Sequence, residues 1–396
     1  MAAGNRGDVA AASGTRTMQV GVVTDPGLPA AVARAATRGL PELLGRDLGG
    51  RFDWRVETFC DELLLDEEGV LPMLTAAEEY QDRHGWDMVV LITDLPRRSG
   101  TQPILADVST SQQAALVSLP ALGGGFRLRA RLRGLLVHVI GHVARDRLGL
   151  AAERLPDPYR GATGRLSARL APLRHHTSPE ERIDFHLGLT GLRGRFRLLA
   201  GMVRDNRPWR LVPHLAGATA AAAATAAFGI FYPSIWSMAD ALPHWRLGVI
   251  SAVAIAVMVL WLLLYNDLWD RPSGHPRPGE AVLYNLSTVL TLVIGVGCMY
   301  LMLYGLALLT ASAVIDLGFL QSRLGHPAGF GDYATLVWLA SSMGIVAGAL
   351  GSSLEGEEAV RQATYSRREN QRQARNRARA DDEDARDTQR EEHTAS

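Results

Sequence analysis

The chain has 396 residues, enough for two or three domains, and its 41 basic and 41 acidic side chains leave no net charge to argue for nucleic acid. The only cysteines are Cys60 and Cys298, too few for a disulfide framework and in keeping with a reduced compartment. There is no lysine, so every fixed positive side chain is arginine.

Residues 1–16 are small and polar with no apolar h-region, and read as a disordered leader rather than a signal peptide. From Thr17 to Leu150 strand and helix patterns alternate. MQVGVVTD is an apolar run closed by the turn Asp25-Pro26-Gly27. LPAAVARAATRGLPELLG has helical periodicity, with Pro41 marking a break or a second start. RFDWRVETFC alternates as a strand, and GVLPMLTAAEEYQDRHG reads as a helix. WDMVVLITDLP, QPILADVS and AALVSLPALG are three further strands. FRLRARLRGLLVHVIGHVARDRLGL closes the region as a helix with one apolar stripe from Leu128 to Val143. The expected order is β-α-β-α-β-β-β-α, an α/β domain over residues 17–150 with two or three layers.

Two strand ends carry the same pair of residue types, Thr24-Asp25 and Thr93-Asp94. Open α/β sheets bind ligands beyond the carboxyl ends of their strands. The plainer reading is that Asp25 caps the helix that follows. The G-x-G-x-x-G of a dinucleotide site is missing from the first turn, and no cofactor-binding residue is expected. Gly123-Gly124-Gly125 precedes a helix whose start carries arginines, which suits either a loop or an anion at a helix N-terminus.

His138 and His142 stand four apart on the last helix, on the edge of its apolar stripe, and are the metal candidates. The spacing, with the sheet before the helix, resembles the zincins, and the metzincins and archaemetzincin in particular, over about a third of the chain. That resemblance implies a zinc-binding helix following the last strand and a glutamate after the first histidine that takes a proton from zinc-bound water. Here that position is Val139, and the family's later glycine and third histidine are Arg145 and Leu148. Asp146 shares the histidines' face but lies roughly 12 Å along the axis from His138, too far for one ion. A third ligand has to come from elsewhere, with His175, His176 and His186 or a carboxylate as options. Three readings stay open: a metal-free core pair, a vestigial or structural zinc pair, and a hydrolase with a base from outside the helix. No catalytic residue is assigned. No cofactor is expected beyond that zinc.

Residues 151–210 form an Arg- and Pro-rich neck, in which Ser178-Pro179-Glu180-Glu181 reads as a helix start and the stretch from Ile183 onward as a basic amphipathic helix at the bilayer. Four apolar runs then reach the roughly 20 residues a span needs, at about 211–232, 247–265, 283–314 and 334–354. The third is longer than a span requires, so it tilts or extends past the lipid. Arginines crowd the neck (Arg193 to Arg210) and the tail (Arg361 to Arg379), with Arg271 and Arg277 between spans two and three. The other two loops have only Arg246 and Arg323, so the positive-inside rule puts both termini in the cytoplasm. Trp236, Trp245, Trp261, Trp269 and Trp338 lie near span ends as an aromatic belt would. The spans carry no Asp, Glu, Lys or Arg in their interiors, which weighs against an ion-coupled pump. Gly344, Gly348 and Ser352 make a small-residue stripe for packing inside the bundle or for a homo-oligomer through the fourth span. The charged tail, 355–396, and the neck are suited to anionic lipid headgroups.

The layout resembles actinobacterial four-span membrane proteins, some of which carry a folate-dehydrogenase label; no hydride-transfer site is legible. The sequence is thus expected to encode a bacterial inner-membrane protein whose cytosolic zincin-like domain, lacking the catalytic glutamate, is a non-catalytic interaction, sensory or scaffold module. A membrane-tethered metal peptidase and a transporter of a neutral solute are the alternatives.

Overall fold

The structure is a computed structural model that describes residues 16–48, 52–66, 71–99, 102–124, 127–144, 173–177, 183–269 and 280–352. Residues 1–15 of the leader, Gly125, the segment with Arg145, Asp146 and Leu148, the start of the neck and its Ser178-Pro179-Glu180-Glu181 stretch, the loop with Arg271 and Arg277, and the tail with its arginines lie outside the described residues, as do the side chains of His175 and His176; Arg16, read as leader, begins the first strand. The chain divides into two compact units, Met1–Arg195 and Phe196–Ser396.

In the first unit the described strands are β1 (Arg16–Thr24), β2 (Phe52–Cys60), β3 (Met88–Thr93), β4 (Arg97–Ser99), β5 (Gln102–Ser109), β6 (Ala114–Ser118), β7 (Leu173–Thr177) and β8 (Phe185–Leu189). They form one sheet in the order β2-β1-β3-β6-β5-β8-β7, with β4 hairpinned onto β5. The run β2-β1-β3-β6 is parallel, and the other pairings are antiparallel. All of β3, MVVLIT, is buried, as befits a central parallel strand covered on both faces.

The described helices that cover this sheet are α1 (Leu28–Thr37), α2 (Leu40–Leu48), α3 (Met73–His84) and α4 (Leu128–Val143). The break expected at Pro41 is the start of α2, where a missing N–H costs no helical bond. Gly39 makes the corner between α1 and α2 at φ 69°. Met73, Ala77 and Tyr80 of α3 pack on Val23, Val89, Leu91 and Leu116. Strand residues alternate between faces, so Val20, Val22, Val90 and Ile92 belong to the opposite face, where α1, α2 and α4 pack together. The domain has three layers.

Two described strands, β7 and β8, follow α4 in the chain. Phe185–Leu189, read from sequence as part of a helical neck, is strand β8 and pairs with β5. The open edge of β5 needs a partner, and FHLGL supplies one from far along the chain.

In the second unit the described helices are α5 (Gly191–Asn206, which begins in the first unit), α6 (Leu211–His214), α7 (Ala216–Phe231), α8 (Pro233–Ala241), α9 (His244–Tyr265), α10 (Glu280–Val314), α11 (Leu317–Leu324) and α12 (Phe330–Gly351). Three are long and apolar enough to cross a membrane: α9, α10 from Ala281, and α12. Among the described residues a fourth is reached only if a bent pair, Gly191–His214 with Ala216–Phe231, whose axes turn by 59°, counts as one broken span. The straight span expected over 211–232 is therefore broken at Leu215, in a stretch where Pro208 and Pro213 cannot donate helical hydrogen bonds. At about 1.5 Å per residue α7 alone is roughly 24 Å long, short of the ~30 Å hydrocarbon core. The long α10, roughly 52 Å by the same rise, overshoots a bilayer as its sequence suggests.

The outside of the bundle is as apolar as its inside. On α9, Val249, Val253, Val257, Leu260 and Leu264 are exposed while Leu247, Ala254, Met258 and Leu262 are buried. Only 33% of the most apolar window of α9 is buried, so the remainder requires a lipid solvent. The central helix is α12, whose window is 61% buried against α7, α9 and α10. Gly344, Gly348 and Gly351 meet Ala218, Ala221 and Ala222 of α7, two small-residue surfaces in backbone contact. Gly344 and Gly348 of the stripe read from sequence are thus packed within the chain, and Ser352 bonds the Ala349 carbonyl of its own helix at 2.7 Å. Trp236 and Trp338 also turn inward: Trp236 donates to the Ile230 carbonyl at 2.9 Å and Trp338 to Ser251 Oγ at 2.7 Å. Trp245 and Trp269 are exposed, as belt residues are.

Candidate functional site

The parallel part of the sheet has one topological switch point. From β1 the chain passes through α1 and α2 to β2 on one side, then through α3 to β3 on the other. Right-handed crossovers leaving in opposite directions put their helices on opposite faces, which is where α1 and α3 are found. The connections diverge at the carboxyl ends of β1 and β3, and a crevice opens there in folds of this type.

Those two ends carry Thr24-Asp25 and Thr93-Asp94, all four residues buried. Thr24 pairs with Ile92 in register, so Asp25 lies beside Thr93 and Asp94 one step beyond. The Asp25 amide donates to the Ile92 carbonyl at 3.0 Å, extending the ladder past the strand. Asp25 Oδ1 accepts from the Leu63 amide at 3.1 Å. The helix-cap reading of Asp25 does not hold: the N-cap of α1 is Gly27, at φ 95°, and no side chain caps the helix.

The loop around Asp94 is held on both sides. Thr93 Oγ1 accepts from the Leu95 amide at 3.1 Å, and Ser118 Oγ donates to the Leu95 carbonyl at 2.8 Å. Asp61, at the end of β2, accepts from the Tyr80 hydroxyl at 2.8 Å, and its backbone amide donates to the Thr24 carbonyl at 3.1 Å. Burial and the hydrogen bond to Asp61 push the Tyr80 phenol well above its usual range. Carboxylates on strand ends with fixed backbones are a preorganised set of hydrogen-bond acceptors.

The expected metal pair occupies a different part of this unit. His138 and His142 are adjacent on α4, their rings edge-to-face at 4.5 Å, and His142 meets the Phe185 ring at 4.9 Å. Phe185 therefore faces α4, and His186, the next residue on the same strand, faces the other side of the sheet. His186 is no third ligand for this pair. Among the described residues no third His, Cys, Asp or Glu joins His138 and His142 at metal-binding range.

His186 instead completes a buried network that the sequence did not announce. Its Nδ1 bonds Asp107 Oδ1, while Arg97 Nε and Nη2 reach Asp107 Oδ2 at 3.0 and 2.6 Å. Asp107 has no exposure, and both of its oxygens are satisfied by charge-capable donors. The network ties β4, β5 and β8 together, and 79 residues separate Asp107 from His186, so no local pattern marks it.

No protein-family model matches the chain, and no curated protein or solved structure matches it either.

Proposed function

We propose that the chain is a membrane-anchored binding module whose α/β unit holds a small polar ligand at the switch point, with Asp25 and Asp94 as acceptors for the ligand's hydrogen-bond donors. The observation that carries this reading is the pair of buried Thr-Asp strand ends at the carboxyl edge of β1 and β3. The Arg-rich neck favours a cytosolic α/β unit in a bacterial inner membrane, with anionic lipid headgroups at the neck and tail. A sensory rather than catalytic role fits Val139, which cannot act as a base beside His138. A transporter is disfavoured by the filled bundle interior, where Met258, Leu262, Leu292, Val296 and Met299 are buried together.

Buried carboxylates kept for binding cost stability, whereas those kept for structure supply it. Asn retains an oxygen for the Leu63 amide, so Asp25→Asn is a mild change, and Asp94→Asn is its counterpart. In full-length protein in detergent, both variants are expected to melt at or above the wild-type temperature. They are also expected to lose any small molecule that native mass spectrometry finds on the wild type. A loss of more than about 2 kcal/mol in both variants would mean the carboxylates are structural and would refute the reading.

A degenerate zincin-like domain is the second reading, favoured by the adjacency of His138 and His142. Stoichiometric zinc that disappears with His138→Ala would support it.

A further inference from the structure

Asp240, His326 and Asp332 each offer a ligand atom within 4.8 Å of the others. They come from three separate places: the end of α8, the turn between α11 and α12, and the first turn of α12. The α7–α9 and α10–α12 connections both lie at the end of the bundle where α9 begins and α10 ends. Because 92 residues separate Asp240 from Asp332, no sequence motif announces the trio.

The hydrogen bonds around His326 require a positive charge. Its Nδ1 donates to the Pro327 carbonyl at 3.1 Å, an oxygen that can only accept. Its Nε2 lies 3.2 Å from Asp240 Oδ1, an oxygen that when ionised can also only accept. A neutral ring with its proton on Nδ1 would set a lone pair against a carboxylate, so Nε2 must carry either a proton or a metal. The Pro327 bond is the kind that orients metal-bound histidines, since it fixes which ring nitrogen is left for the ion.

Asp332 is fixed in a similar way. Its Oδ2 accepts the Gly329 amide at 2.6 Å, which leaves Oδ1 for another partner. Zinc bonds to nitrogen and oxygen near 2.0–2.2 Å give tetrahedral edges of roughly 3.3–3.5 Å, close to the His326–Asp240 separation. Beside the trio, Trp236, Leu320, Leu324 and Thr335 line a small crevice that Asp240 and Asp332 also border.

We propose that Asp240, His326 and Asp332 bind a divalent transition metal, zinc in first place, and that the ion clamps together the two connections at this end of the bundle. One imidazole and two carboxylates suit zinc over calcium or magnesium, and zinc over manganese by the usual order of affinities. The inference is independent of the reading given to the α/β unit.

The test is zinc chloride titrated into full-length protein in detergent at pH 7.5 after chelator treatment, with bound metal counted by mass spectrometry and melting followed in parallel. One zinc per chain is expected, with a melting temperature that climbs as zinc is added. Asp240→Asn and His326→Ala, both partly exposed positions, should each weaken binding at least tenfold, whereas His138→Ala should leave it unchanged. The proposal is overturned if no stoichiometric zinc binds at about 100 µM. It is also overturned if zinc bound by the wild type is kept by either Asp240→Asn or His326→Ala, or lost with His138→Ala. If His326→Ala fails to fold, Asp240→Asn decides alone, since its helix position is exposed.

Discussion

A Cβ at Gly344 would stand 2.6 Å from the Ala222 carbonyl oxygen, closer than any side-chain carbon sits to a backbone atom. The same helix pair repeats the contact at Gly348, where the Ala218 carbonyl lies 2.9 Å from the missing Cβ, and at Gly351, where the Ala221 Cβ lies at 2.6 Å. The α7–α12 interface is therefore built on absent side chains, with backbones close enough for dispersion to act where lipid supplies no hydrophobic drive.

Gly344→Ala should consequently destabilise the bundle by about 1–3 kcal/mol despite alanine's better helix propensity. Unfolding of the purified protein in mixed micelles measures it. Gly297→Ala, on α10 with nothing near its Cβ position, should be neutral or slightly stabilising and serves as the control.

Gly21 in β1 is a second position where space, not backbone conformation, demands glycine. The Trp86 ring occupies the volume of its missing Cβ, with Cε3 only 1.8 Å from that point, and the indole N–H donates to Glu57 at 3.1 Å. His84 stacks on the same ring at 4.4 Å, which limits how far Trp86 can shift. Gly21→Ala is expected to cost about 3 kcal/mol or more, visible as a lowered melting temperature. Pairing it with Trp86→Leu should recover part of the loss, and fully additive costs in the double variant would contradict this packing.

The hydroxyl of Tyr80 gives a pH signature. Its folded pKa is raised by burial first and by Asp61 second, so the folded state keeps the proton after the unfolded chain has released it. The stability this provides is complete below about pH 10, where the unfolded phenol ionises, and drains away as pH rises further. Tyr80→Phe should lower stability at neutral pH by about 1 kcal/mol. It should also flatten the decline above pH 10 in urea-unfolding measurements; an identical alkaline slope in both proteins would refute the assignment.

Much of the first unit was legible because its strands are short apolar runs bounded by turn residues, and its helices carry a single apolar stripe. Pro41 marked a real boundary for the same local reason. Strand β8 was misread because five residues, FHLGL, carry too little periodicity to stand against a basic helical context, and only the open edge of β5 makes them a strand. The Thr-Asp strand ends could be flagged in advance, since their position after apolar runs is local. Their adjacency, and the Asp107–His186 and Asp240–His326–Asp332 groupings, depend on chain segments tens of residues apart. In the second unit hydropathy located the spans but not the bend at Leu215, and it could not tell inward-facing Trp338 from belt-forming Trp245.

The proposed orientation puts the α/β unit in the cytosol and the Asp240–His326–Asp332 end of the bundle outside the cell. It is tested most directly by labelling single cysteines in intact cells, on a background with Cys60→Ser and Cys298→Ala. A cysteine at Ser234, on exposed α8, should react with a membrane-impermeant maleimide, and one at Asp53, on the exposed face of β2, should react only after the cells are opened. Labelling of the Asp53 position from outside, with protection at Ser234, would contradict the account.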